Sequence, residues 1–154
     1  MLNDDFKECA RLLGDHGVEY LIVGGYALAA YGHPRFTGDL DIWYRAAPEN
    51  CSRLHQALEA FGFGSLGITP QLLQQPDTVL QLGYPPRRID FLSAIDGVQF
   101  DTCWERRVIV AMGGLDLPFI GLEDFRKNKR ATGRLKDLAD LEALGDTPDG
   151  VNPE

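Results

Sequence analysis

Apolar residues along this chain change their period several times, and each change marks an element. Phe6, Ala10 and Leu13 recur at helical spacing behind Asn3, a favoured N-cap residue, and predict a helix over about Asp4 to Leu13 that Gly14 and Gly17 end. Tyr20 to Val23 is a short continuous apolar run and predicts a buried strand. Beyond Gly24-Gly25, the segment Ala27 to Tyr31 is small and apolar enough for a buried helix, stopped by Gly32 and Pro34. Asp39 to Tyr44 follows as a second strand. Pro48 then opens a helix with Leu54, Leu58 and Phe61 at i, i+4 and i+7, closed by Gly62 and Gly64.

The second half is read in the same way. Residues 64–78 are mixed in character and are expected to form a loop with one helical turn. Thr78 to Leu82 and Arg88 to Leu92 predict strands on either side of a break at Pro85-Pro86, and Asp96-Gly97 predicts a hairpin-like turn. A short helix is expected over Phe100 to Arg106, then strands over Val108 to Ala111 and Leu115 to Ile120 around Gly113-Gly114. Leu122 to Ala131 returns to helix, Thr132-Gly133 breaks it, and Leu135, Leu138 and Leu141 mark the apolar side of a last helix ending near Gly145. The expectation is an α/β (α+β) fold: one domain over residues 1–145, a mixed sheet flanked by helices with a helix pair at its C-terminal end, and a flexible tail over residues 146–154.

Two stretches in this layout carry chemistry. A buried strand that runs into two glycines and then a helix presents bare backbone N–H groups to an anion, with no Cβ in the way and the helix dipole favouring negative charge. Gly24-Gly25 is therefore a candidate phosphate cradle. In Asp39-Leu40-Asp41-Ile42 the strand period of two puts both carboxylates on one face and both apolar residues on the other. Such paired anions repel each other, and hard Mg²⁺, commonly held by one or two carboxylates plus substrate phosphates, relieves that repulsion.

Composition narrows the picture. The chain has 154 residues, 44% hydrophobic and 25% charged, as in an ordinary globular protein. It offers no run of ~18 apolar residues for a membrane span, and its first residues lack the basic and apolar character of a signal peptide, so a cytoplasmic location is expected. Cys9, Cys51 and Cys103 are odd in number and widely spaced, which suggests structural free thiols rather than a disulfide framework or zinc site. A net charge of −8 argues against a protein that coats nucleic acid. Residues 126–136 nevertheless hold six of the fifteen basic residues and no acid. The rest of the chain sets nine bases against all 23 acids, a net of −14.

The glycine pair, helix and Asp-x-Asp strand together resemble the nucleotidyltransferase fold of the DNA polymerase β superfamily, and within it the small bacterial AbiEii-type and minimal nucleotidyltransferases. The pattern Gly-Gly-x-Ala-x(n)-Gly-x-x-Arg-x-Thr-x-Asp-x-Asp of those families falls here on Gly24, Gly25, Ala27, Gly32, Arg35, Thr37, Asp39 and Asp41. Residues 129–141 are similar to the Lys-x-x-x-Gly-Arg-x-Lys-Asp-x-x-Asp-x-x-x-Leu helix pair of the same group. The resemblance implies a third carboxylate on a neighbouring strand, which falls on Asp90. It implies that Asp39, Asp41 and Asp90 hold one or two Mg²⁺ ions, and that Gly24, Gly25, Arg35 and Thr37 frame the nucleotide. Lys129, Arg134 and Lys136 become the basic residues that approach the triphosphate. One departure stands out: Tyr26 follows the glycines where many active relatives place Ser.

The implied activity is transfer of a nucleotide from an NTP to an RNA or protein hydroxyl, with a cognate toxin or antitoxin as a partner. A catalytically degenerate or partner-dependent nucleotide- or metal-binding protein of the same fold and a plain interaction domain are the alternative classes. The acids and glycines favour the first two.

Overall fold

The computed structural model describes residues 2–32 and 38–145. Helix α1 (Asp4–Asp15) starts where its cap requires, the Asn3 side chain accepting the Phe6 N–H at 2.9 Å. It runs through Gly14, two residues further than its apolar spacing suggested, and the chain reverses at Gly17 with φ +67°. Strand β1 (Tyr20–Val23) leads directly into α2 (Gly24–Ala30), and β2 (Leu40–Tyr44) follows. Helix α3 (Pro48–Leu58) ends in a wide helical turn over residues 59–63 that pivots at Gly62, and a tight turn over 64–66 comes next. The expected helical turn in the mixed stretch is α4 (Pro70–Leu73), capped by the Thr69 hydroxyl at 3.1 Å from the Leu72 nitrogen.

Strands β3 (Val79–Leu82) and β4 (Ile89–Leu92), helix α5 (Phe100–Glu105), strands β5 (Val108–Met112) and β6 (Leu115–Phe119), and helices α6 (Leu122–Thr132) and α7 (Leu135–Ala143) complete the order. Asp96-Gly97 does not make a hairpin, because a helix rather than a strand follows. Gly97 instead seats the chain against α6: a Cβ there would lie 2.5 Å from that of Ala131.

Among the described residues the strands form one six-stranded mixed sheet in the order β3-β4-β2-β1-β6-β5. β1 runs antiparallel to β2 and parallel to β6, while β2 and β4 are parallel. This topology follows from the connections. A two-residue Gly113-Gly114 turn suffices for the antiparallel β5–β6 pair, whereas the parallel β2–β4 pair needs the long crossover through α3 and α4.

Register then separates the two faces. Leu40 pairs with Ile89 and Ile42 with Phe91, so one face is apolar and all four residues are buried. Tyr44 continues this face, its hydroxyl donating to the Leu73 carbonyl at 2.7 Å. Each large side chain so buried contributes roughly 1.5–3 kcal/mol. On the opposite face Asp41 pairs with Asp90 and Trp43 with Leu92. Trp43 is covered there by Phe100, at 5.1 Å edge to face, and the two acids are not part of any apolar cluster. Both aromatics after the acids, Trp43 and Tyr44, are thus core residues.

Candidate active site

The site is assembled where β1 ends and β2 and β4 begin. Because β1 opposes β2, Val23 pairs with Asp41 and the chain enters α2 beside that carboxylate. Gly24 has φ +69°, a conformation that favours glycine, and a Cβ on it would stand 2.1 Å from an Asp41 carboxylate oxygen. The first glycine of the pair is therefore required twice: by its backbone and by the acid that presses against it.

The three acids differ in their surroundings. Burial, the charge of Asp90 and the charge of Asp39 push the Asp41 carboxyl up to about 7, with Lys136 opposing them. Asp90 is buried and Asp39 half-buried. Between these two lies a residue that the chain's motifs did not single out. The Arg88 guanidinium donates from Nε to Asp90 Oδ1 at 2.9 Å, and from one terminal nitrogen to Asp39 Oδ2 at 2.8 Å and Asp90 Oδ2 at 3.2 Å. Hydrogen bonding to Asp90, and the charges of all three acids, raise the Arg88 pKa above its ordinary value. A signal for it existed, since residues two apart on a strand share a face, and Arg88 is two before Asp90.

Asp41, Gly24 and Gly25 line a cleft of about 500 Å³ whose far wall is built from α6, the start of α7 and the loop after β4. Val79, Leu92 and Ile95 give it an apolar floor, and Lys129, Arg134 and Lys136 all reach its lining. The three basic residues play different parts. Lys129 is buried, its ammonium 3.0 Å from Asp137 Oδ1 and 3.1 Å from Asp140 Oδ2. Arg134 is held from its Nε to Asp137 Oδ2 at 2.6 Å, with most of its side chain exposed. Lys136 is exposed, and among the described residues no hydrogen bond or ion pair holds it. Of the three it is the cation facing Asp41 that is available to a ligand.

Asp137 pairs with Arg134, but neither Asp137 nor Asp140 sits on the helix surface. They are buried, and Leu135 and Leu138, expected on the inner side of α7, are exposed at 86% and 46%. Burial pushes the Asp137 carboxyl up, but hydrogen bonds from Arg134, Thr132 and Lys129 outweigh it and hold the group far below the usual carboxylate range. Arg35 and Thr37 lie outside the described residues. The three cysteines are buried free thiols.

The donor chemistry suits a hard divalent ion. Asp39 Oδ1 is buried without a hydrogen-bond partner, and Asp41 carries a charge its surroundings oppose. As the side chains stand, no three His, Cys, Asp or Glu residues among the described ones close around a metal, and Arg88 spans two of the three acids.

No protein-family model matches this chain, and no curated protein sequence matches it. Among solved structures it is similar to that of a Thermotoga maritima protein assigned as a nucleotidyltransferase, with a TM-score of 0.56 and 15% identity over 90% of this chain and 86% of the other. No helix among the described residues is long and apolar enough to cross a membrane. With its strand order, its glycine turn against Asp41 and the parallel pairing of Asp41 with Asp90, the chain has the nucleotidyltransferase fold.

Proposed function

We propose that this protein is a Mg²⁺-dependent nucleotidyltransferase that moves a nucleoside monophosphate from an NTP to a hydroxyl of an RNA or protein acceptor. The observation that carries this reading is the meeting, in one cleft, of the Gly24-Gly25 turn, the Asp41 carboxylate paired with Asp90, and the unpaired Lys136. The glycine backbone amides would bind phosphate oxygens at the start of α2, and Lys136 would neutralise charge on the leaving pyrophosphate. Asp39, Asp41 and Asp90 would hold Mg²⁺, which when bound supplies charge neutralisation on the phosphates and lowers the pKa of the attacking hydroxyl. Asp90 would steer or accept that hydroxyl's proton. The hydroxyl oxygen forms a new bond to the α-phosphorus, the bond to the bridging oxygen breaks, and pyrophosphate leaves.

With Tyr26 buried against Phe6 where many active relatives place Ser, phosphate binding falls to the backbone amides rather than to a serine hydroxyl. Arg88 across Asp39 and Asp90 favours a second reading, in which a partner completes the site before it turns over. A cytoplasmic toxin–antitoxin pair is the setting the sequence resemblance suggests for such a partner.

Calorimetric titration of each NTP, with and without Mg²⁺, into wild type and the Asp39→Asn/Asp41→Asn double variant tests the proposal. Saturable, metal-dependent binding that the variant loses supports it, and labelled-NTP transfer to candidate acceptors follows. No binding by folded wild type rejects the nucleotide site.

A further inference from the structure

We infer that Arg88 is a resident counter-cation of the carboxylate cluster, one that a divalent ion must displace. This inference rests on the metal-site reading above. Three observations lead to it. Arg88 contributes three hydrogen bonds to two of the three acids, in the forked geometry that a guanidinium offers and an ammonium does not. Its side chain is 28% exposed, so it has an open path out of the cluster. Asp39 Oδ1 keeps a buried lone-pair side with no donor, so the arginine satisfies the cluster incompletely.

A single planar cation therefore fixes Asp39 and Asp90 and offsets repulsion among the acids. It also uses the oxygens an ion would need, since Asp90 gives both of its oxygens to Arg88 and Asp39 gives one. Arg88 is thus a positioning residue with two opposed effects. It holds the acid cluster together without metal and weakens the cluster's affinity for metal. Once displaced, its guanidinium stays at the start of β4, beside the acids, where it meets phosphate or acceptor charge instead.

The test uses Mn²⁺ as the probe, titrated calorimetrically into wild type, Arg88→Met and Asp41→Asn. The expected result is about tenfold tighter Mn²⁺ binding by Arg88→Met, with a lower melting temperature in EDTA than wild type, and no binding by Asp41→Asn. Equal or weaker binding by Arg88→Met, with wild-type binding intact, overturns the role of Arg88 and leaves the metal site standing. Absence of Mn²⁺ binding in both wild type and Arg88→Met overturns the metal site and this inference together. If Arg88→Met does not fold, the wild-type Arg88 resonance decides the matter. The Arg88 Nε–H resonance, assigned by its loss in Arg88→Lys, should move toward that of a free arginine on saturation with Mg²⁺, and an unmoved resonance overturns displacement.

Discussion

Gly24 and Asp41 touch so closely that a methyl group on the glycine would overlap the carboxylate, at 2.1 Å from one oxygen and 3.0 Å from its carbon. The turn that offers backbone amides and the acid that faces the cleft are therefore a single packed unit.

Gly24→Ala should damage both at once. The positive φ costs an L residue about 1 kcal/mol, and the forced movement of Asp41 adds to it, so a loss of roughly 2–3 kcal/mol is expected. Denaturant titration gives the stability, and Mg²⁺-dependent NTP binding should be lost even in the folded fraction.

Asp41 predicts an unusual pH dependence for the metal-free protein. In the unfolded chain an aspartate titrates near ~4, while in the folded protein Asp41 titrates at about 7. Between these values the folded state keeps a proton that the unfolded state has released. Stability from this group is therefore full below pH ~4 and is lost as pH rises to ~7, a change on the order of 4 kcal/mol. Thermal melts in EDTA across that range should show the decline, and Asp41→Asn should remove it and melt several degrees higher than wild type at pH 8.

Lys129 and Lys136 should separate cleanly. Lys129→Ala removes the buried ammonium that two buried carboxylates share and should cost about 3–5 kcal/mol. Lys136→Ala should change stability by no more than ~0.5 kcal/mol while weakening NTP binding more than Mn²⁺ binding. Paired melts and calorimetry check both. Equal loss of stability in the two variants would refute the division of roles.

The depressed Asp137 carboxyl acts in the opposite direction to Asp41. Its folded pKa lies below the unfolded value, so its contribution is present above pH ~4 and is lost as pH falls further. Asp137→Asn should flatten the acid limb of a stability–pH curve measured by urea titration between pH 5 and pH 2, as well as lowering stability at neutral pH.

Leu141→Ala and Leu138→Ala test the rotation of α7. The first removes a buried side chain and should cost roughly 2–4 kcal/mol, while the second, at an exposed position, should stay within about 0.5 kcal/mol. A loss at Leu138→Ala as large as that at Leu141→Ala would restore the orientation that the leucine spacing suggested.

Much of the fold was legible because it rests on local signals. Asn3, Pro48 and the glycine pairs mark element ends by backbone rules that hold without tertiary context, and the strand period sorted Leu40 and Ile42 from Asp41. The partner of Asp41 was reachable only through the family resemblance, since nothing local says that residue 90 lies beside residue 41. What escaped was electrostatic. Helical spacing of Leu135, Leu138 and Leu141 pointed to an apolar inner face, but a buried lysine on the neighbouring helix draws Asp137 and Asp140 inward beside Leu141 and leaves Leu135 and Leu138 outside. Arg88 was overlooked for a similar reason: its importance lies in a residue 49 positions earlier.

The Lys129 triad has a mechanical consequence for the cleft. Because it pins α7 to α6 through a charge that neither helix can release cheaply, the two helices behave as one plate, with Arg134 and Lys136 mounted on its rim. Bending at Gly133 would pull Lys129 away from Asp137 and Asp140, so the spacing of Arg134 and Lys136 along the cleft wall is set by a buried ion pair rather than by the loop between the helices.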